Sequence, residues 1–155
     1  MSLFYVDTSA LIKRYLTEPG SAWMNAITDP RHAHQIAIAA ITPVEAAAAL
    51  AVRHRASGGL TREERDRAVH VLLRHCTTDY QAVALTNTII SRAIDLTQAY
   101  RLRGYDAVQL ATALFVRDVA TAANLPPLIF ASADTDLLLA AHAEGLLVEN
   151  PNDHP

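Results

Sequence analysis

The sequence is short of several features that would settle its class at once. Its single cysteine, Cys76, rules out an internal disulfide framework and agrees with a reducing cytoplasm. No uninterrupted apolar run approaches the ~20 residues of a membrane span, so no membrane association is expected. The chain enters its first apolar stretch without a basic segment or a small-residue cleavage site, so no signal peptide is expected and the localisation read from it is cytoplasmic. There is no basic excess: 13 Lys and Arg stand against 16 Asp and Glu, a net charge of −3. That argues against indiscriminate nucleic-acid binding, although a nuclease whose acidic pocket is neutralised by bound cations stays compatible with it. Lys13 is the only lysine. Neither a P-loop nor a Gly-x-Gly-x-x-Gly is present, which removes the common nucleotide-binding readings. The seven histidines show no zinc-ligand spacing, and His32-x-His34 alone is weak.

What is present is an alternation of strand-like and helix-like segments. With 155 residues, 51% apolar and 19% charged, the chain can bury a proper core, and residues 1–149 are expected to form one domain. Leu3-Phe4-Tyr5-Val6 is a short continuous apolar run, as in a strand covered on both faces. A helix follows over 9–16, then another over 22–28 capped by Ser21. Further strands are expected over 35–40, 80–85, 128–131 and 146–148. Thr42-Pro43-Val44-Glu45 reads as a helix start with Thr42 as N-cap and Glu45 as its capping-box partner, running to about Ala56. Gly58-Gly59 is a hinge. Thr61 and Glu64 make a second capping box, for a helix reaching about His75. A helix over 86–103 is closed by Gly104, Asp106 opens the next, and Asp134 starts one that Gly145 ends. Residues 150–155 are expected to be a loose tail. Tyr5, Trp23 and Phe130 read as core aromatics and Cys76 as a small apolar filler. The fold class is α/β, three layers, with a largely parallel central sheet.

Four carboxylates then take on a common address. Asp7 ends the first strand, Glu45 lies in the first turn after the second, Asp134 follows 128–131, and Asp106 begins a helix. In parallel sheets, ligands bind in the crevice beyond the carboxyl ends of the strands. Each acid also has an ordinary local explanation: the helix dipole, a capping box for Glu45, N-caps for Asp106 and Asp134. Together they are costly unless a cation neutralises them, and hard oxygen donors select Mg²⁺ or Mn²⁺ over zinc. A receiver-type domain would need a lysine after a late strand, and a dehalogenase-type phosphatase would need Asp-x-Asp where this chain has Asp7-Thr8-Ser9.

The segments Tyr5-Val6-Asp7-Thr8-Ser9-Ala10-Leu11, Thr42-Pro43-Val44-Glu45, Tyr105-Asp106-Ala107-Val108-Gln109-Leu110-Ala111 and Ser132-Ala133-Asp134 resemble, in order and spacing, the acidic motifs of PIN domains. Most of all they resemble those of VapC-type toxins of toxin–antitoxin pairs. The resemblance implies a PIN-like α/β/α domain over residues 1–149 and Mg²⁺-dependent endoribonuclease activity, with Mn²⁺ able to substitute. The cognate partner would be a VapB-like antitoxin, and a homodimer is expected. Asp7, Glu45, Asp106 and Asp134 would be the metal-binding, catalytic acids, with Ser9 and Ser132 as supporting hydroxyls and Asp136 a more distant neighbour. From their place about two helical turns beyond Asp7, Lys13 and Arg14 would either steer the RNA backbone or belong to a solvated face. The amphipathic stretch from Gly59 to His75 would help receive the antitoxin in an apolar groove. The rival reading is a non-enzymatic PIN-like interaction module whose acids are structural.

Overall fold

A computed structural model describes residues 1–154. Five strands form one sheet, β1 (Leu3–Val6), β2 (Gln35–Ala39), β3 (Gln81–Val83), β4 (Leu128–Ala131) and β5 (Leu147–Glu149), in the order β3-β2-β1-β4-β5. Every pairing is parallel. All four residues of β1 are buried, as its unbroken apolar run requires when helices cover both faces.

One face carries α1 (Thr8–Leu11), α2 (Ser21–Ile27), α3 (Thr42–Arg55) and α4 (Arg62–Thr78), which close over Phe4, Val6, Ile36 and Ile38. The other face carries α5 (Asn87–Ala99), α6 (Gly104–Ala122) and α7 (Thr135–Ala143), which close over Tyr5, Ala37 and Phe130. Tyr5 and Phe130 stack on this face with ring centroids 5.7 Å apart. The result is a three-layer α/β/α PIN-like fold. The chain winds outward from β1 through β2 to β3, then crosses to the other side of β1 for β4 and β5. Strand order therefore reverses between β1 and β4, and the crevice at that switch point is where such sheets bind ligands. Among the described residues no helix is long and apolar enough to cross a membrane.

Several local expectations give way to tertiary contacts. The first helix is one α-turn continued as a 3₁₀ turn over Ile12–Tyr15. Gly20, at φ 87°, rather than Ser21, caps α2. The Ser21 hydroxyl instead accepts from the Glu18 amide at 3.0 Å and donates to the Leu16 carbonyl at 2.8 Å. Thr42 does not cap α3; Ile41 holds that position without a side-chain bond. The Thr61–Glu64 capping box does form, in both directions, and α4 runs on to Thr78.

The helix before Gly104 stops at Ala99, because Tyr100 turns extended and its hydroxyl donates to Glu144 Oε1 at 2.7 Å. Gly104 becomes the first residue of α6, so Asp106 stands inside the first turn, not at its cap. Residues 150–154, expected to be loose, are docked. Asn150 caps a 3₁₀ turn over Pro151–Asp153, Pro151 is buried, and His154 stacks on Trp23 at 4.7 Å. Gly20 permits this docking, since a Cβ there would stand 2.6 Å from the Pro151 carbonyl oxygen.

Candidate active site

The site begins where β1 ends. Asp7 caps α1 by accepting from the Ala10 amide at 3.2 Å and is itself buried. Ser9 donates its hydroxyl proton to the Asp7 carboxylate, 2.9 Å from Oδ1 and 3.2 Å from Oδ2. Ser9 Oγ also accepts from the Ala133 amide at 2.8 Å and lies 3.3 Å from Ser132 Oγ. A hydroxyl has one proton, and that of Ser9 is committed to Asp7, so Ser132 is the donor between the two. Ser132 in turn accepts from the Asp134 amide at 3.0 Å. A directed chain thus runs from Asp134 through Ser132 and Ser9 to Asp7 and ties the end of β4 to the end of β1 across the switch point.

Asp134 caps α7 by accepting from the Leu137 amide at 3.1 Å. Together with Asp106 and Asp136 it lines a polar cleft of about 530 Å³, whose other walls include Tyr100, Arg101 and Arg103. Glu45, half-buried on α3, accepts a 2.7 Å hydrogen bond from Gln109 of α6. Ser9 and Ser132 therefore tie Asp7 to the turn bearing Asp134, Asp106, Asp134 and Asp136 share the cleft, and Glu45 is close enough to Asp106 to feel its charge.

The electrostatics are chiefly those of carboxylates removed from water. Burial pushes Asp7 up to about 7 against the hydrogen bonds from Ser9 and the Ala10 amide that favour its charged form. Burial also raises Glu45, opposed by bonds from Gln109 and Thr8 and reinforced by the charge of Asp106. Asp106 is raised by burial and by Asp134, with Arg103 pulling the other way. Among the described residues no set of three or more His, Cys, Asp or Glu side chains is drawn together as a ready metal cage. The donors are all carboxylate or hydroxyl oxygens, the type that suits a hard divalent cation. A divalent ion beside Asp7, Glu45 and Asp106 would favour their charged forms and offset the effect of burial.

Lys13 and Arg14, expected to face RNA, do not. Lys13 is buried, its ammonium 3.0 Å from Glu18 Oε1 and 2.9 Å from the Pro19 carbonyl. Arg14 donates to the Tyr80 hydroxyl and lies 3.8 Å from Asp79. Both point away because the 3₁₀ turn over Ile12–Tyr15 folds them against α2 and the C-terminal end of α4.

The residues missed from the sequence are Gln109, Thr8 and Thr42, which surround Glu45, and the arginine pair Arg101 and Arg103. A glutamine one helical turn beyond Asp106, in the run Ala107–Leu114 whose one other polar residue is Thr112, is the signal that marks Gln109. A polar side chain there must find partners inside the protein.

An all-parallel sheet in the order 3-2-1-4-5, with acids from four segments at its carboxyl edge, defines the PIN-domain class. No family model matches the chain. It is 36% identical over 154 residues to Ribonuclease VapC45 of Mycobacterium tuberculosis (strain CDC 1551 / Oshkosh), covering 96% of this chain and 95% of that protein. Among solved structures it superposes on Mycobacterium tuberculosis VapC20, a sarcin–ricin loop cleaving toxin, with TM-score 0.61, 14% identity and coverage of 98% and 99%. A toxin–antitoxin complex from Klebsiella pneumoniae aligns with TM-score 0.55 and 22% identity over 97% and 98% of the two chains. The chain belongs to the VapC family of PIN-domain proteins.

Proposed function

We propose that this chain is a Mg²⁺-dependent endoribonuclease, with Mn²⁺ able to substitute, that acts in the cytoplasm as the toxin partner of a VapB-like antitoxin. The observation that carries the reading is the cleft that Asp106, Asp134 and Asp136 share, beside the Ser9–Ser132 contact that ties Asp7 to the turn bearing Asp134. The naming of a 36%-identical relative as a ribonuclease supports the activity. The occurrence of this fold in a toxin–antitoxin complex supports the partner.

In this reading the four carboxylates hold the metal, directly or through water. Bound there, Mg²⁺ would supply a water activated for in-line attack on phosphorus and would stabilise the departing oxygen. Asp7 is pre-set by Ser9 and the Ala10 amide. Ser132 holds the turn that aims Asp134. Asp136 extends the acidic wall toward solvent, and Arg101 and Arg103 face the strand's phosphates. The nucleophile is water, so the 2′-hydroxyl is not needed, and the products carry a 5′-phosphate and a 3′-hydroxyl. The antitoxin's apolar segment would lie along the groove between α4 and the turn after α1, lined by Tyr15, Leu16, Leu60, Ala68 and Val71. A homodimer would cover the exposed apolar residues Ile90 and Ile94 of α5 and Tyr105 of α6.

One observation favours the non-enzymatic alternative: Asp7 and Asp134 already have structural work as N-caps. Incubating the purified chain with total cellular RNA in Mg²⁺ or in EDTA, then mapping the new ends, separates the two readings. The nuclease reading expects 5′-phosphate ends that require the metal and vanish in Asp7→Asn and Asp106→Asn. Full metal-dependent cleavage by both variants overturns the assignment.

A further inference from the structure

Gln109 is the polar side chain in the core whose role the reading above leaves open. It is 1% exposed on α6, one turn beyond Asp106, and its amide joins three other elements. Its Oε1 accepts from the Tyr5 hydroxyl of β1 at 2.7 Å. Its Nε2 donates to Glu45 Oε1 of α3 at 2.7 Å and to Thr42 Oγ1 at 3.1 Å, and stands 3.3 Å from Thr8 Oγ1. The two ends of a glutamine amide are not equivalent: the oxygen only accepts and the nitrogen only donates.

Tyr5 has no exposed surface, and its hydroxyl proton, given to Oε1, fixes which end of the amide faces Glu45. A reversed amide would set two oxygens against each other at Glu45. The same contact explains why Thr42 and Glu45 do not close a capping box: Gln109 engages both.

We propose that Gln109 is the positioning residue of the metal site: with its polarity fixed by Tyr5, it holds one oxygen of Glu45 and so sets the orientation of that carboxylate. The proposal rests on the assignment of Glu45 as a metal-binding acid. Groups that orient a metal ligand affect affinity nearly as strongly as the ligand itself, and such control needs a partner whose polarity is fixed. Gln109 meets that condition because its other end is already bonded. It also links Glu45 to the helix that carries Asp106, so two of the acids are set by one rigid element.

The test is Mn²⁺ binding to the full-length chain, read by calorimetry or electron paramagnetic resonance with no RNA present. Glu45→Gln, Gln109→Leu and the double variant are compared with wild type. Leu72→Ala, a fully buried position on the opposite face of the sheet, controls for loss of stability alone. Expected are a fall in Mn²⁺ affinity of roughly tenfold or more in each single variant, no further fall in the double variant, and wild-type affinity in Leu72→Ala. Gln109→Glu, which keeps an acceptor for Tyr5 but presents a second carboxylate to Glu45, is expected to bind as poorly as Gln109→Leu. A loss in Glu45→Gln with none in Gln109→Leu overturns the proposal alone, as does a double variant in which the two losses add. Wild-type binding by Glu45→Gln removes Glu45 from the site and the proposal with it.

Discussion

The hydroxyl of Ser9 stands 3.3 Å from that of Ser132, a residue 123 positions further along the chain. That contact is the covalently unsupported seam of the candidate site. It closes the gap between the ends of β1 and β4, where strand order reverses, and it orders the protons so that each donor points toward Asp7. Removing the Ser9 hydroxyl leaves the Ala133 amide without its 2.8 Å partner and frees the Asp7 carboxylate on one side. Ser9→Ala is expected to cost roughly 1–3 kcal/mol of stability, the usual penalty for an unpaired buried polar group. It should lower the cleavage rate by at least tenfold. Unfolding midpoints and initial rates on one RNA substrate check both, and a stability loss with unchanged rate would separate Ser9 from the chemistry.

Asp7 gives a pH signature in the absence of metal. Its folded carboxyl is held at about 7 by burial, against ~3.9 in an unfolded chain. Stability from the protonated form is complete below pH ~4 and is lost as the pH rises through about 7. Asp7→Asn keeps an acceptor for the Ala10 amide and the Ser9 hydroxyl but carries no charge. In EDTA it should be more stable than wild type, by an amount roughly 2–3 kcal/mol larger at pH 8 than at pH 5. Denaturant titrations at the two pH values measure this. A gap that does not change with pH would refute the burial argument.

How much of this could be read in the sequence depended on how local the decisive contacts were. β1, β2 and β4 were legible because buried parallel strands are continuous apolar runs, and the Thr61–Glu64 capping box because both partners lie within one helical turn. The same local pattern misled at Thr42–Glu45. There Gln109, more than sixty residues away, took both side chains, so the cap that would explain Glu45 without a functional site does not form. Asp7, Glu45 and Asp134 were expected beyond strand ends and lie there, since topology alone puts them there, whereas the orientation of Glu45 depends on a partner far off in the chain. The docking of residues 150–154 on Trp23 and Gly20 was invisible for the same reason.

Lys13 is the clearest case of a charge with a structural task. Its ammonium sits against Glu18, which also accepts from Arg53 at 2.8 Å, and both carboxylate oxygens are thereby used. Those bonds hold Glu18 below the ordinary carboxylate range against the effect of burial. Lys13→Met would keep the aliphatic stem and remove one of Glu18's two cations. The expected result is a loss of roughly 1–3 kcal/mol in stability with RNA affinity unchanged. Weaker RNA binding by a fully stable variant would restore Lys13 to the RNA-binding surface.

Arg101 and Arg103, not Lys13 and Arg14, are the cations beside the acids of the cleft. Both line the cleft that holds Asp106, Asp134 and Asp136, yet among the described residues neither side chain enters an ion pair or a hydrogen bond. By contrast Arg92 and Arg117 are each paired with Asp118. On the proposed function, arginines with no ion-pair partner beside these acids would be available to phosphate while the acids hold a metal, the two halves of a phosphodiester bound to a divalent ion. Each arginine that neutralises a phosphate contributes ~0.7 to the slope of log affinity against log salt for a single strand. Arg101→Gln and Arg103→Gln should each weaken binding of a single-stranded RNA at low salt and reduce that slope by about 0.7, or by about 1.4 in the double variant. The measurement is fluorescence anisotropy in EDTA across a salt series, where no cleavage competes. Unchanged slopes in the double variant would place the RNA backbone elsewhere on the protein.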